Sequence, residues 1–256
     1  MQGDDKRNPI YRLATHVFPQ SPVAEAYRSL RTNLEFSSVD MPIRRLLVTS
    51  SIPGEGKTTT ACNLAVAFAQ AGRRTLLVDA DLRKPGVHKL FDVPNDEGLT
   101  DILRREDASV HQLAQKVDEA NLRVLTTGSL PPNPAELLGS KRMQAVMDEL
   151  SGYVDLVIID SPPLQAVTDA AILSSMVDGT LLVVASGRTR RGSLRAGQGV
   201  LARVGANVLG VALNRISTRN YGSYSYQSYY YGSDAARFGK DPGQAQVQMP
   251  EVEPRA

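Results

Sequence analysis

The sequence predicts an α/β fold: a mainly parallel sheet covered by helices on both faces, followed by a tail that lies outside the core. Two observations carry this. Six short apolar runs are bounded by turn residues, and stretches of helical spacing lie between them. Strands that are apolar on both faces and alternate with helices belong in a buried parallel sheet. A chain of 256 residues with 42% hydrophobic content has room for one sizeable domain plus tails.

Taken in order, residues 1–20 are polar and broken by Pro9 and Pro19, which predicts a loose arm. From Pro22 to about Ser38 the spacing is helical, with Ser21 placed to cap the first turn and Pro22 within it. The strand runs are R-L-L-V-T-S, T-L-L-V-D, L-R-V-L-T, L-V-I-I-D, T-L-L-V-V-A and V-L-G-V-A-L-N. Helical stretches are expected near 57–71, 134–150, 168–177 and 190–204. From Arg219 onward Tyr, Gly, Ser, Gln and Pro dominate, so the folded domain is expected over 21–218 and a tail over 219–256. The chain contains no internal repeat.

Composition excludes several classes. The net charge of +2 implies no general attraction to nucleic acid or membrane, although Arg188, Arg190, Arg191 and Arg195 form a local basic run that reads first as a solvated helix face. The single cysteine, Cys62, excludes an internal disulfide and a cysteine-rich metal site, and fits a reducing cytoplasm. No stretch approaches the roughly 20 apolar residues of a membrane helix, and the start M-Q-G-D-D-K-R lacks a signal peptide's apolar core.

After the first strand comes S-S-I-P-G-E-G-K-T-T-T and then the helical run A-C-N-L-A-V-A-F-A. Gly54 and Gly56 permit backbone conformations whose N–H groups converge, and the positive end of the next helix adds to their field. Lys57 can reach the β and γ phosphates of a nucleotide, and the Thr58 hydroxyl is placed to ligate Mg²⁺. Ser51 stands where the common pattern begins with Gly. The order strand, loop, helix marks a P-loop NTPase.

Two more strands end in acid. The second runs L-L-V-D-A-D-L-R-K-P, delivering Asp79 and Asp81 outside a parallel strand's carboxyl end, and the fourth ends at Asp160 in L-V-I-I-D-S-P-P. Three carboxylates beside a triphosphate loop offer the hard oxygen ligands of a magnesium site, and one not spent on metal could accept a proton. The alternative is that each Asp caps a turn. Arg83 either clamps phosphate or pairs with an acid.

Six of nine tyrosines, Tyr221, Tyr224, Tyr226, Tyr229, Tyr230 and Tyr231, fall in Y-G-S-Y-S-Y-Q-S-Y-Y-Y. Without aliphatic neighbours this tract cannot bury enough surface to offset ordering entropy, so it is expected to be flexible and exposed. A mobile phenol beside a phosphoryl donor is an acceptor. Tyr11, Tyr27 and Tyr153 read as ordinary surface or packing residues.

At this point the chain resembles the bacterial protein-tyrosine kinases (BY-kinases) of capsular and extracellular polysaccharide export. Ser51 to Thr58 resembles the family's Walker A, L-L-V-D-A-D-L-R-K-P its Walker A′, and V-I-I-D-S-P-P its Walker B, within a likeness running from about residue 20 to 231. The resemblance implies ATP held by Gly54, Glu55, Gly56, Lys57, Thr58 and Thr59. It implies Mg²⁺ held by Thr58 with Asp81 and Asp160, Lys57 and Asp81 in the catalytic constellation, and Asp79 as base. Asn214, which contacts adenine in the wider superfamily, and its neighbour Arg215 are further nucleotide candidates. Glu25, Arg28 and Arg31 match an E-x-x-R-x-x-R motif for subunit contact, implying a head-to-tail ring whose members phosphorylate one another's tails. Without the resemblance that stripe reads as a solvated helix face with an internal ion pair. The segment T-G-S-L-P-P-N-P-A-E-L-L at 127–138 is also similar to a family stretch, with no role evident from the residues.

The resemblance further implies a transmembrane chain-length regulator as partner, expected as a separate protein because this chain opens with Met and has no membrane segment. It also implies a tyrosine phosphatase, and a cytoplasmic location recruited to the inner face of the plasma membrane. The nearest alternative is a Min or Par partition switch, but such loops carry a second lysine where this chain has Ile52. No nucleic-acid partner is expected, because Arg219 and Arg237 only flank the tyrosine tract and no basic residue interrupts it.

Overall fold

The computed structural model describes residues 13–37 and 42–216. The tyrosine tract and the rest of the tail lie outside the described residues.

Seven strands form one sheet in the order β3-β4-β2-β5-β1-β6-β7. They are β1 (Arg45–Ser50), β2 (Thr75–Asp79), β3 (Gln115–Lys116), β4 (Leu122–Leu125), β5 (Leu156–Asp160), β6 (Gly179–Ala185) and β7 (Val208–Asn214). All neighbours run parallel except β3 against β4. β2, β5 and β6 are buried along their whole length, which is why they read as unbroken apolar runs. β7 is an edge strand, and it leaves Val208, Val211 and Leu213 exposed.

One face of the sheet is covered by α3 (Lys57–Gln70), with α2 (Pro22–Phe36) packed outside it. Every residue of α3 from Thr60 to Ala69 is buried, because Ala, Val, Leu and Phe surround the helix on all sides. Ser21 caps α2 as expected: its Oγ accepts the Ala24 N–H at 3.2 Å. The other face holds α5 (Leu99–Arg104) and α8 (Lys141–Tyr153), and α9 (Asp169–Ser174) with α10 (Arg191–Arg203) covers the β6 side.

The structure corrects two expectations and adds short helices the sequence did not show. Residues 13–20 do not belong to a loose arm: Ala14–Val17 forms α1, with Leu13 and Thr15 buried. Thr15 is held by polar contacts, its N–H and hydroxyl both donating to Asn63 Oδ1 at 3.1 and 3.0 Å. The expected helix at 134–150 is two, α7 (Pro134–Leu138) and α8, separated where Ser140 Oγ accepts from Met143 N–H and starts a new helix. Finally, α4 (Val87–Phe91) and α6 (Val110–Leu113), like α5, are too short to show a period and were not predicted.

Candidate active site

β1, β5 and β2 lie side by side and end at one edge, bringing three sequence motifs to one place. Asp79 and Asp160 are register partners on β2 and β5, and β1 feeds the phosphate loop on the other side of β5. Gly54 and Gly56 take positive φ, 80° and 97°, as a loop of converging N–H groups requires. Gly56 has a second constraint, since a Cβ there would lie 2.1 Å from Asn214 Nδ2.

Lys57 heads α3 and sits among acids, with Nζ 2.8 Å from Asp81 Oδ2 and 3.8 Å from Asp160 Oδ1. Burial alone would lower its pKa, but Asp160 and Asp81 outweigh burial and hold it above the ordinary lysine value. The Thr58 hydroxyl accepts from the same ammonium at 3.2 Å. Asp160 is fully buried, and neither of its carboxylate oxygens has a hydrogen bond of ordinary geometry. Its pKa is raised by burial, while the Lys57 charge and the Thr58 hydroxyl pull the other way.

Two unspent, hard oxygen acceptors beside Asp81 and a threonine hydroxyl fit Mg²⁺, which takes one or two carboxylates and completes its shell with phosphate and water. Among the described residues no three acidic, histidine or cysteine side chains converge as a metal cage. Asp79 instead turns into the A′ loop, where Oδ1 accepts from Asp81 N–H at 3.2 Å and Oδ2 from Gly86 and Val87 N–H, both at 3.0 Å. Burial, reinforced by the Asp160 charge, raises Asp79 to about 7 despite those N–H groups.

Other predicted residues take definite places. Thr59 lies in the first turn of α3, where its carbonyl accepts from Asn63 Nδ2 at 2.9 Å. Glu55 points into the protein instead of toward a ligand: its carboxylate accepts from Ile52 N–H at 2.8 Å and from the Thr189 hydroxyl. Asn214 reaches the loop, its Nδ2 donating to Glu55 O at 2.9 Å, whereas Arg215 is exposed, its N–H bonded to Asn214 Oδ1. Arg83 is paired with buried Asp169 through two bonds of 2.9 and 3.0 Å, so its guanidinium anchors the A′ loop to α9. The 127–138 segment has a visible role at its start, where the Thr127 hydroxyl donates to Asp79 O at 2.9 Å and ties β4's end to the A′ motif.

The stripe on α2 is engaged within the subunit. Glu25 and Arg28 pair at 2.9 Å, Arg28 also donates to Pro19 O, and Arg31 Nη1 donates to Ala67 O in the last turn of α3 at 3.0 Å. That last bond serves one of the carbonyls a helix leaves open at its end. Sequence spacing placed these residues on one stripe but gave no sign of the α3 contact, because the acceptor is backbone.

With this geometry in place, comparison with known proteins is decisive. An AAA domain family matches residues 46–188. Tyrosine-protein kinase YwqD of Bacillus subtilis is 46% identical over 208 residues, spanning 81% of this chain and 87% of that protein. The chain belongs to the bacterial tyrosine-protein kinase family. The kinase domain of the Escherichia coli tyrosine kinase ETK superposes with a TM-score of 0.79 at 34% identity, covering 87% of this chain and 89% of that one. A chimeric protein, CapA2B2, gives a TM-score of 0.77 at 39% identity over 80% of this chain and 90% of that one. Full-length etk is much longer, and this chain spans 28% of it.

Proposed function

We propose that this bacterial tyrosine kinase is an ATP-dependent autokinase that phosphorylates Tyr221, Tyr224, Tyr226, Tyr229, Tyr230 and Tyr231 of a neighbouring subunit. The observation that carries this reading is Lys57, charged and held between Asp81 and Asp160 at the mouth of the phosphate loop. The tyrosyl oxygen bonds to the γ phosphorus, the bond from that phosphorus to the β–γ bridging oxygen breaks, and ADP leaves. Lys57 compensates the charge that moves onto the bridge, and positioning supplies most of the remaining rate. Thr58, Asp81 and Asp160 would hold Mg²⁺, which would supply charge neutralisation to the phosphates. Gly54 to Thr59 hold the phosphates, and Asn214 orders the loop from behind through Glu55 O.

Asp79 receives the tyrosyl proton in this scheme. A base must be ionised, so with a pKa of about 7 the rate of autophosphorylation should fall about tenfold per pH unit below that value. The stability sign runs the other way. A folded pKa raised above 3.8 gives stability that is complete below the unfolded value and is lost as pH rises through about 7. The nucleotide-free protein should therefore melt lower at pH 8 than at pH 5.5 as far as Asp79 decides it, while activity rises. A flat rate profile between pH 5.5 and 8 would remove Asp79 as base and leave it only as the fastener of the A′ loop.

The subunits form a closed ring through Glu25, Arg28 and Arg31, which brings one tail to the next site. Replacing Arg28 and Arg31 by Ala should shift the sedimentation profile to the monomer and reduce tail phosphorylation. An unchanged profile would confine these side chains to the contacts with Pro19 and Ala67 within the subunit. The ring acts in the cytoplasm at the inner face of the membrane, recruited by a transmembrane chain-length regulator, and a tyrosine phosphatase resets it. Phosphorylation adds about −1.5 to −2 charges per tyrosine, so a loaded tail loosens the ring and controls polysaccharide polymerisation and export. A partition switch is the poorer reading, since Ile52 cannot supply the second loop charge.

A further inference from the structure

A buried carboxylate inside an anion-binding loop is costly unless its oxygens are satisfied, and Glu55 is only 1% exposed. Its partners explain it. Besides Ile52 N–H, the carboxylate accepts from the Thr189 hydroxyl and, at 3.4 Å, from Ala185 N–H, so Glu55 clasps the β6–α10 connection to the phosphate loop. The clasped segment is a tight turn: Arg188 and Thr189 N–H both donate to Ala185 O, at 3.2 and 3.0 Å, and Gly187 takes a φ of 71°. The turn lifts Arg188 over the loop, where its Nη1 lies 3.9 Å from the position a Cβ on Gly54 would occupy.

Arg28, Arg31, Arg45, Arg74, Arg83 and Arg105 have carboxylate partners, whereas Arg188, Arg190, Arg191 and Arg195 of the basic run have none among the described residues, and of these four Arg188 is the one whose guanidinium stands over the phosphate loop. Arg188 is exposed and forms no ion pair among the described residues. Nor does it lie on a helix face, because α10 begins only at Arg191. A guanidinium left unpaired at the rim of a nest of backbone N–H groups is suited to phosphate oxygens, which it meets with two parallel donors.

We propose that Arg188 is a second cation of the nucleotide site, contacting the phosphate chain of bound nucleotide from the side of the loop opposite the acidic strand ends, and that the Glu55–Thr189 clasp positions it. The inference rests on nucleotide binding by the loop and is independent of which group accepts the phosphate. Thr189 is a positioning residue in this account.

The test is titration of the purified full chain with N-methylanthraniloyl-ADP in the presence of Mg²⁺, followed by fluorescence. Arg188→Ala should weaken binding about tenfold, or about 1.4 kcal/mol. Arg188→Glu should weaken it further, Arg188→Lys should recover most of the loss, and Thr189→Val should fall between wild type and Arg188→Ala. Binding by Arg188→Ala and Arg188→Glu within twofold of wild type would overturn the proposal, as would equal losses in Ala, Glu and Lys variants, the pattern of a packing defect. Failure of the wild type itself to bind Mg·ADP would instead remove the nucleotide reading of the loop.

Discussion

Replacing Lys57 by Met should abolish phosphotyrosine formation on incubation with Mg·ATP, with a loss of at least about 10²–10³-fold, the scale on which single charge-stabilising donors act in transition states. The structure gives two reasons. Lys57 is the ammonium at the head of α3, and it neutralises Asp81 and Asp160 in a site from which water is largely excluded, its own side chain being 12% exposed. Removing one partner of a buried charge cluster leaves the others uncompensated, so Asp160, already pushed up by burial and held down in part by the Lys57 charge, should rise further in the variant. Phosphotyrosine in the Lys57→Met protein at the wild-type rate would reject the site assignment. Loss of phosphotyrosine with nucleotide binding retained would place the effect on transfer.

Changing all six tail tyrosines, Tyr221, Tyr224, Tyr226, Tyr229, Tyr230 and Tyr231, to Phe should leave the site intact and eliminate phosphate incorporation into the chain. The same variant mixed with the Lys57→Met protein should phosphorylate the latter's tail, because each retains what the other lacks. Phosphate on the Lys57→Met chain in that mixture establishes transfer between subunits. If each protein is inert alone and the mixture stays inert, transfer occurs within one chain. If the six-Phe variant still takes up a full complement of phosphate, the acceptors lie elsewhere, with Tyr11, Tyr27 and Tyr153 the remaining phenols. Tyr27 would be a poor acceptor, since burial raises its hydroxyl pKa on α2 beside Thr60.

The sheet and its two acidic strand ends were legible because a parallel strand buried on both faces shows an apolar run, and the centres of β1, β2, β5 and β6 follow that rule. The phosphate loop was legible because glycine at Gly54 and Gly56 answers a backbone requirement, their positive φ. What escaped was held by contacts with no pattern along the chain. Thr15 is buried through Asn63, 48 residues away, so α1 looked like part of an arm. Arg83 finds Asp169, 86 residues away, which settles its two open readings in favour of an ion pair. Glu55 read as one more loop residue, while its side chain in fact closes onto Thr189. Asp79 read as a strand-end acid free to take up a proton, and nothing along the chain showed that three backbone N–H groups of the A′ loop bond to its oxygens. Periodicity reports burial by apolar packing and is blind to burial by polar pairing.

The central claim is that ATP's terminal phosphoryl group passes from the Lys57 site to the tail. Intact-mass measurement of the purified, phosphatase-treated protein before and after incubation with Mg·ATP tests it most directly. A ladder of species separated by the mass of one phosphate, reaching as many as six, removed again by phosphatase and absent in Lys57→Met, is the result expected. Production of ADP by an assembled protein whose mass does not change would contradict it.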